Sequence, residues 1–367
     1  MSPSKYLVFP HQMTGGMTNL LLELEIRVIL ADLSGRTLVS PNKIPIWPMN
    51  DDHIYKRYRS AALLDLYDFP VKHISVTKLY KDGFDELYVL PWMGSCASEA
   101  YFIHEKYENL DGEVLNSFKE SRQHQWTFPD NDSETWVAYN QQRTFCNYSY
   151  FFLAPDPVKQ HIKGLINRIQ PKAPYLNLAK KIAKDLKSYN GIHVRRGDFK
   201  EWWVKSPTNK EIIANISPIM SVDEPLVICT DSSKDDAFFA PIMKAYPKSI
   251  LIDLHIMNEY KSELKKLPFS DATVIALLSS LVASDSKVFA GSLFSTFTSA
   301  IHRRRILKDQ SQPILFTSNP YGSEILMTNG EFQARRAGHF SWNRLALPNP
   351  PESRANAWLR EWPEAAK

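Results

Sequence analysis

Cysteine is scarce in this chain: 367 residues carry three, Cys96, Cys146 and Cys229. An odd number without Cys-x-x-Cys spacing argues against a disulfide framework or a thiolate zinc site, and for a reducing compartment, the cytoplasm. The glycosylation-type sequons at Asn131 and Asn147 are read as chance on that ground. Long apolar runs are missing too. No stretch approaches the ~18 residues of a membrane helix, and Ser2 to Ser4 lead straight into KYLVFP, which reads as a strand and carries no leader cleavage site. Charge of one sign is also lacking. A formal net charge of +4 with no long basic run argues against a broad nucleic-acid surface, while leaving room for a local anion site. There is no internal repeat and no low-complexity segment.

What the chain does have is apolar and aromatic content, 44% and 12% respectively, with 23% charged residues. That is ample for a packed core, argues against disorder, and at this length suggests two domains. The pattern predicts a strand over Tyr6–Phe9, a turn HQMTGGMTN, a helix from Asn19 to Leu33 stopped by Gly35, and a strand RTLVS. A helix is expected over Tyr55–Tyr67 and a short strand in FDELYVLP; the stretch after that has no usable periodicity. A helix over Val158–Ile169 lies between prolines, and QPKAP is the candidate linker. Beyond it the expected order is a helix over Tyr175–Ser188, a strand ending at Val194, the strand PLVICTD and the helix DDAFFAPIMKAY. The strand SILIDL, the helix DATVIALLSSLVA, the strand KVFAG and the helix STFTSAIHRRRIL follow. Strands alternating with helices imply parallel sheets with right-handed crossovers. The division read from this is 1–172, 173–340 and a Trp-rich tail 341–367.

Ligands of open α/β sheets sit beyond the carboxyl ends of the strands. Three polar segments fall at such ends: Arg195-Arg196 after HV, Asp231 after VICT, and Gly291-Ser292, with Ser295-Thr296 opening the next helix. A helix N-terminus with free N–H groups attracts anions, and a guanidinium fork matches phosphate oxygens. Two arginines at a strand tip therefore point to a phosphate, one to grip it and one to hold the loop. Each feature has a structural reading when taken singly. Arg-Gly-Asp is a common surface turn, and Ser295, Thr296 or Asp271 can be plain helix caps. Their order along one half of the chain favours a site. In TGGMTN, Gly15 and Gly16 let backbone approach a ligand closely, and Asn19 opens a helix; this is neither G-x-G-x-x-G nor a P-loop.

Taken together, GGMTN, GRTLVSP, HVRRGDF, ICTDSS and SDATVIALLSSLVASDSKVFAGSLFSTFTS resemble the protein O-fucosyltransferase family. The α-1,2- and α-1,6-fucosyltransferases share a related Gly-rich opening and an H-x-R-R-G-D-like stretch. The likeness covers the start of the first half and most of the second, and leaves the middle, about 45 to 170, without a recognised motif. It implies an α/β, GT-B-like architecture, two Rossmann-like domains facing across a cleft. It also implies an inverting, metal-independent transfer of fucose from GDP-fucose to a hydroxyl, with no cofactor. By position Arg195 matches the arginine at the donor diphosphate, His193 the histidine beside it and Asp271 an acid at the guanine. Ser295, Thr296 and Phe297 match the segment at the phosphates and base, and Asn19 the asparagine near the scissile bond. Asp231, Gly15 and Gly16 join the nucleotide-sugar set.

One departure stands out. Some members carry a glutamate in the Gly-rich loop, where this chain has Gly15 or Gly16. His11, Glu23 and Asp52 are substitute bases, although Glu23 equally suits a salt bridge to Arg27. The acceptor, whether glycan, protein or small molecule, is left open; Trp92, Trp202 and Trp203 are candidates for stacking on sugar rings. Two alternatives remain: a relative using another GDP- or UDP-deoxysugar, and a nucleotide-sugar-binding protein without catalysis.

Overall fold

The computed structural model describes residues 5–8, 17–40, 63–75, 136–138, 156–197, 207–232, 236–270, 272–292, 295–308, 314–316 and 326–328. In chain order the first half gives β1 (Tyr6–Val8), α1 (Met17–Leu33), β2 (Thr37–Ser40), α2 (Leu63–Leu66), β3 (Tyr67–Asp68), β4 (His73–Ser75) and β5 (Trp136–Ala138). Helix α1 ends where the sequence places a stop. Gly35 sits at φ 62°, its N–H donates to Asp32 O, and Arg36 N–H reaches back to Ala31 O, so the last carbonyls are satisfied by a Schellman turn.

The second half adds α3 (Asp156–Asn167), β6 (Gln170–Pro171), α4 (Ala173–Leu186), β7 (Asn190–Val194), α5 (Asn209–Ile216), β8 (Leu226–Thr230), α6 (Asp236–Ala245) and β9 (Ser249–Leu251). It continues with α7 (Ile252–Glu259), α8 (Lys261–Leu264), α9 (Ala272–Ser284), β10 (Phe289–Ser292), α10 (Thr296–Leu307), β11 (Ile314–Phe316) and β12 (Leu326–Thr328). Two expectations change. SILIDL splits: only Ser249–Leu251 is strand, and α7 starts at Ile252. QPKAP is not a bare linker, because β6 pairs antiparallel with β3, Tyr67 opposite Pro171. The predicted helix over Tyr55–Tyr67 survives as Leu63–Leu66 within the described residues, and FDELYVLP lies outside them.

Strands β4-β2-β1-β5 form one sheet in that order, all parallel. The second runs β12-β11-β10-β7-β8-β9, parallel except for the antiparallel pair β11–β12. From β7 the chain steps outward to β8 and β9, then returns to place β10 on the other side of β7. That reversal is a topological switch point, where the loops after two adjacent strands diverge and leave a crevice. The first sheet has its own reversal, between β1 and β5. The Gly15-Gly16 sequence precedes α1, which follows β1.

Strands β7 and β8 are buried along their whole length, as expected of parallel strands covered on both faces. Ile192, Val194, Leu226 and Ile228 point to a cluster with Ile212, Ile216, Phe239 and Ile242 of α5 and α6. Val227, Cys229 and Phe289 join the other cluster, built with α4 and α9 through Tyr175, Leu178, Ile182, Val274 and Leu278. The same cluster continues without a break into α1 and the first sheet through Leu20, Leu24, Val28, Leu7 and Leu38. Among the described residues, no helix is long and apolar enough to cross a membrane.

Candidate functional site

Among the described residues, polar contacts concentrate at the carboxyl end of β7. After Val194 the chain turns through Arg195, Arg196 and Gly197, and a side chain from each neighbouring strand holds the turn. On the β8 side, Asp231 Oδ1 accepts from Arg196 N–H at 2.8 Å, and Asp231 Oδ2 lies 2.9 Å from Arg195 Nη1. On the β10 side, Ser292 Oγ accepts from Arg195 N–H at 2.8 Å and donates to His193 O at 3.1 Å. Gly197 is required by this packing, since a Cβ there would lie 2.5 Å from Asp231 Oδ2.

The two arginines have separate partners. Arg195 is nearly buried, its side chain 13% exposed against Asp231 at 7%. The Arg196 guanidinium lies over the Phe238 ring, 3.5 Å from its centroid, at the start of α6. Burial pushes the Asp231 carboxyl up, but the Arg195 guanidinium and the N–H groups of Arg196 and Gly197 more than offset it and hold Asp231 below its ordinary range. Asp231 is therefore a carboxylate at neutral pH. Asp231 thus holds the turn both by charge, on Arg195, and through the Arg196 main chain.

His193 faces the opposite side of β7 from Ile192 and is 3% exposed. Its Nδ1 lies 2.7 Å from Thr298 Oγ1, and its ring sits 4.7 Å from that of Phe297. Burial lowers its pKa to about 3, with Asp231 opposing that shift and Arg195 adding to it. The imidazole is thus neutral, with its ring fixed by Thr298 and Phe297. Thr298 approaches this closely because Gly291 has no side chain: a Cβ at Gly291 would lie 2.7 Å from Thr298 Oγ1.

Ser295 stands at the start of α10, buried, and its carbonyl accepts the first helical bond from Ser299 N–H at 3.0 Å. Thr296 and Phe297 form the first turn and are half-buried. Further along, α10 is polar but not free. His302 packs edge-on against Phe289, Arg303 pairs with Glu25 of α1, and Arg305 donates to the carbonyls of Ser284, the last residue of α9, and of Ser286 and Lys287 just beyond it.

Of the residues named from the sequence, His193, Arg195, Asp231 and Phe297 are brought together around β7, and Ser295 and Thr296 open the adjacent helix. Asn19 falls in the first turn of α1; its side chain, like that of Glu23, is outside the description. Gly15, Gly16, His11, Asp52, Asp271, Trp92, Trp202 and Trp203 lie outside the described residues. Sequence reasoning assigned no part to Thr298 or Phe238, and noted Ser292 only as a polar residue after a strand. No local signal marks Thr298 or Phe238, because their roles depend on α10 and α6 meeting β7. Among the described residues, no group of three or more His, Cys, Asp or Glu side chains is placed to hold a metal.

No protein-family model matches this chain and no curated protein matches it in sequence. Its structure is similar to solved fucosyltransferases. NodZ α-1,6-fucosyltransferase co-crystallised with GDP is 13% identical, with 89% of this chain and 98% of that one covered at a TM-score of 0.50. A NodZ structure from Bradyrhizobium gives 12% identity, 89% and 99% coverage and 0.48. POFUT1 in complex with GDP gives 14% identity, 85% and 98% coverage and 0.47. At these identities the likeness is one of fold: the chain has the α/β, GT-B-like fold of these enzymes.

Proposed function

We propose that this chain is a glycosyltransferase whose donor is a GDP-sugar, GDP-fucose by the sequence resemblance, and whose acceptor is a hydroxyl. The observation that carries the reading is the Arg195–Gly197 turn, held by Asp231 and Ser292 beside the start of α10, at the switch point of the second sheet. NodZ, which shares the fold over nearly its whole length, was crystallised with GDP, and this supports a guanine nucleotide here.

The chemistry follows from charge. In an inverting transfer the acceptor oxygen bonds to the anomeric carbon on the face opposite the diphosphate. The carbon–oxygen bond to the diphosphate breaks, its electron pair leaves with GDP, and the acceptor proton passes to a base. Negative charge grows on the diphosphate while the anomeric carbon becomes cationic. Arg195 and the N–H groups at the start of α10 are suited to hold that growing charge without a metal. Asp231 keeps Arg195 oriented. Asp271 is assigned to the guanine, and Asn19, at the start of the helix that follows the Gly-rich loop, to the sugar side.

The surroundings of His193 disfavour it as the base. A side chain with a pKa near 3 holds no useful affinity for a proton at neutral pH. Its place is to support Phe297 and Thr298 from the end of β7. The base is then one of Glu23, His11 and Asp52, or a water relayed by Asn19. The absence of a carboxylate between His11 and Asn19 favours a second reading, a nucleotide-sugar-binding protein without transfer.

Hydrolysis of GDP-fucose, other GDP-sugars and UDP-sugars, with calorimetry against GDP, UDP and ADP, tests these readings. Selective GDP binding with turnover of GDP-fucose is the expected result. Selective UDP binding would overturn the donor assignment, and GDP binding without turnover would favour the second reading.

A further inference from the structure

We infer that Ser292 is a positioning residue for Arg195: its hydroxyl is a strut that sets where the guanidinium stands, and is not itself a ligand of the donor. The inference rests on the diphosphate reading above. In the sequence, Ser292 and Ser295 are equivalent hydroxyls of one run, GSLFST, and either looks suited to a phosphate. The structure separates them.

A serine hydroxyl has one proton to give. In Ser292 that proton goes to His193 O at 3.1 Å, while the oxygen accepts Arg195 N–H at 2.8 Å. The residue is 3% exposed, so its hydroxyl is turned inward to β7 with its donor spent. It has no hydrogen left for a phosphate oxygen. Ser295, three residues on at the helix start, is the hydroxyl available for that role.

The placement of Ser292 explains why the strut is needed. Register pairing of β7 with β10 ends at His193 opposite Gly291. Ser292 itself stays in the sheet on its other side, in register with Phe316 of β11. Its side chain therefore links a backbone anchored in the β10–β11 ladder to Arg195, which lies beyond the last β7–β10 pair. Asp231 provides the matching hold from β8, on Arg195 Nη1 and Arg196 N–H. With the hydroxyl removed, the turn loses its hold on the β10 side and keeps the one from Asp231. The guanidinium then relaxes toward the carboxylate and away from a ligand in the crevice between β7 and β10.

The test is a thermodynamic cycle read with two ligands, GDP by calorimetry and guanosine by saturation-transfer NMR. Ser292→Thr keeps the hydroxyl and Ser292→Val replaces it at equal bulk, so any packing cost is common to both. The Thr variant should bind GDP within about twofold of the wild type, and the Val variant about tenfold more weakly, with guanosine affinity unchanged in both. Ser292→Ala gives the same comparison without added bulk. In an Arg195→Ala background, Ser292→Ala should cause no further loss of GDP affinity, because its effect passes through the arginine.

Equal GDP affinity in the Thr and Val variants would overturn the inference, as would a Ser292→Ala loss that adds in full to that of Arg195→Ala, the mark of a direct ligand. Parallel loss of GDP and guanosine would also overturn it, since that reports general damage. A wild-type protein that binds GDP no better than guanosine would instead remove the diphosphate reading on which the inference stands.

Discussion

Arg303 of α10 and Glu25 of α1 form a two-point ion pair in the interior, with Arg303 Nη1 donating to Glu25 Oε2 at 2.9 Å and Nη2 donating to Oε1. The side chains are only 8% and 2% exposed. One helix follows the Gly-rich sequence of the first half; the other opens at Ser295, beside the Arg195 turn. A buried fork-to-carboxylate contact thus joins the two helices that begin at the two parts of the proposed site.

Breaking this pair from one side strips the buried Glu25 carboxylate of its two-point partner. Arg303→Ala should therefore cost roughly 3–5 kcal/mol of stability, read by chemical denaturation. Replacing both partners by methionine should recover most of that loss. A single variant within about 1 kcal/mol of the wild type would show that solvent reaches the pair.

Arg195→Ala should stay folded and lose transfer by roughly 100- to 1000-fold, the effect of removing one group that stabilises a leaving charge. Arg195→Lys should restore little, because an ammonium cannot serve Asp231 and a phosphate at once through a planar fork. Near-full activity of Arg195→Lys in a donor-turnover assay would refute the role.

The two halves should separate in a binding experiment. Ser295→Ala combined with Thr296→Ala should weaken GDP, since two donors are lost at the helix start. Asn19→Ala should leave GDP affinity within about twofold and lower turnover sharply. The opposite pattern in calorimetry and turnover would mean that the roles of the halves are reversed.

Stability should carry the signature of His193. Its folded pKa, about 3, lies below its ordinary value of 6.5. Protonation therefore favours the unfolded chain, and stability present above pH ~6.5 is lost as pH falls toward ~3. Between pH 6.5 and 5 this amounts to roughly 2 kcal/mol at about 1.4 kcal/mol per pH unit. Asp231, held below its ordinary range, contributes stability above pH ~4 that is lost only at lower pH, so the two effects occupy different windows. Denaturation of the wild type and of His193→Gln at pH 7 and 5 checks this: an equal loss in both proteins would show that His193 is not its source.

Activity should survive excess EDTA, because Arg195 and the N–H groups of α10 are assigned the work of a donor metal. Loss of turnover on chelation, restored by manganese or magnesium, would refute that assignment.

Much of the second half was legible because its elements are bounded by strong local signals. VICT, VFAG and IHV are short apolar runs between helices, and the polar residues at their ends fell where α/β topology puts ligands. Helix α5 was missed although its signature was present. Thr208 and Glu211 form a reciprocal capping box, with Thr208 N–H donating to Glu211 Oε2 at 2.6 Å and Glu211 N–H to Thr208 Oγ1 at 3.2 Å. Strands β3 and β6 could not be read locally: each has two residues, and only their pairing makes them strands. The candidate site was legible in its charged members and not in its supports. Arg195 and Asp231 advertise themselves by charge. Ser292 acts through a main-chain amide, and Phe238 through a ring face, and neither leaves a pattern along the chain.

The hydrophobic cluster that runs unbroken from Leu7 and Leu38 through α1 to Tyr175, Val227 and Phe289 belongs to both sheets at once. Heat or denaturant cannot dissolve one sheet's share of it without stripping cover from the other. The two halves should therefore melt as one cooperative unit, and a cut near residue 172 would yield two sticky fragments, each with half of a shared interior turned to water.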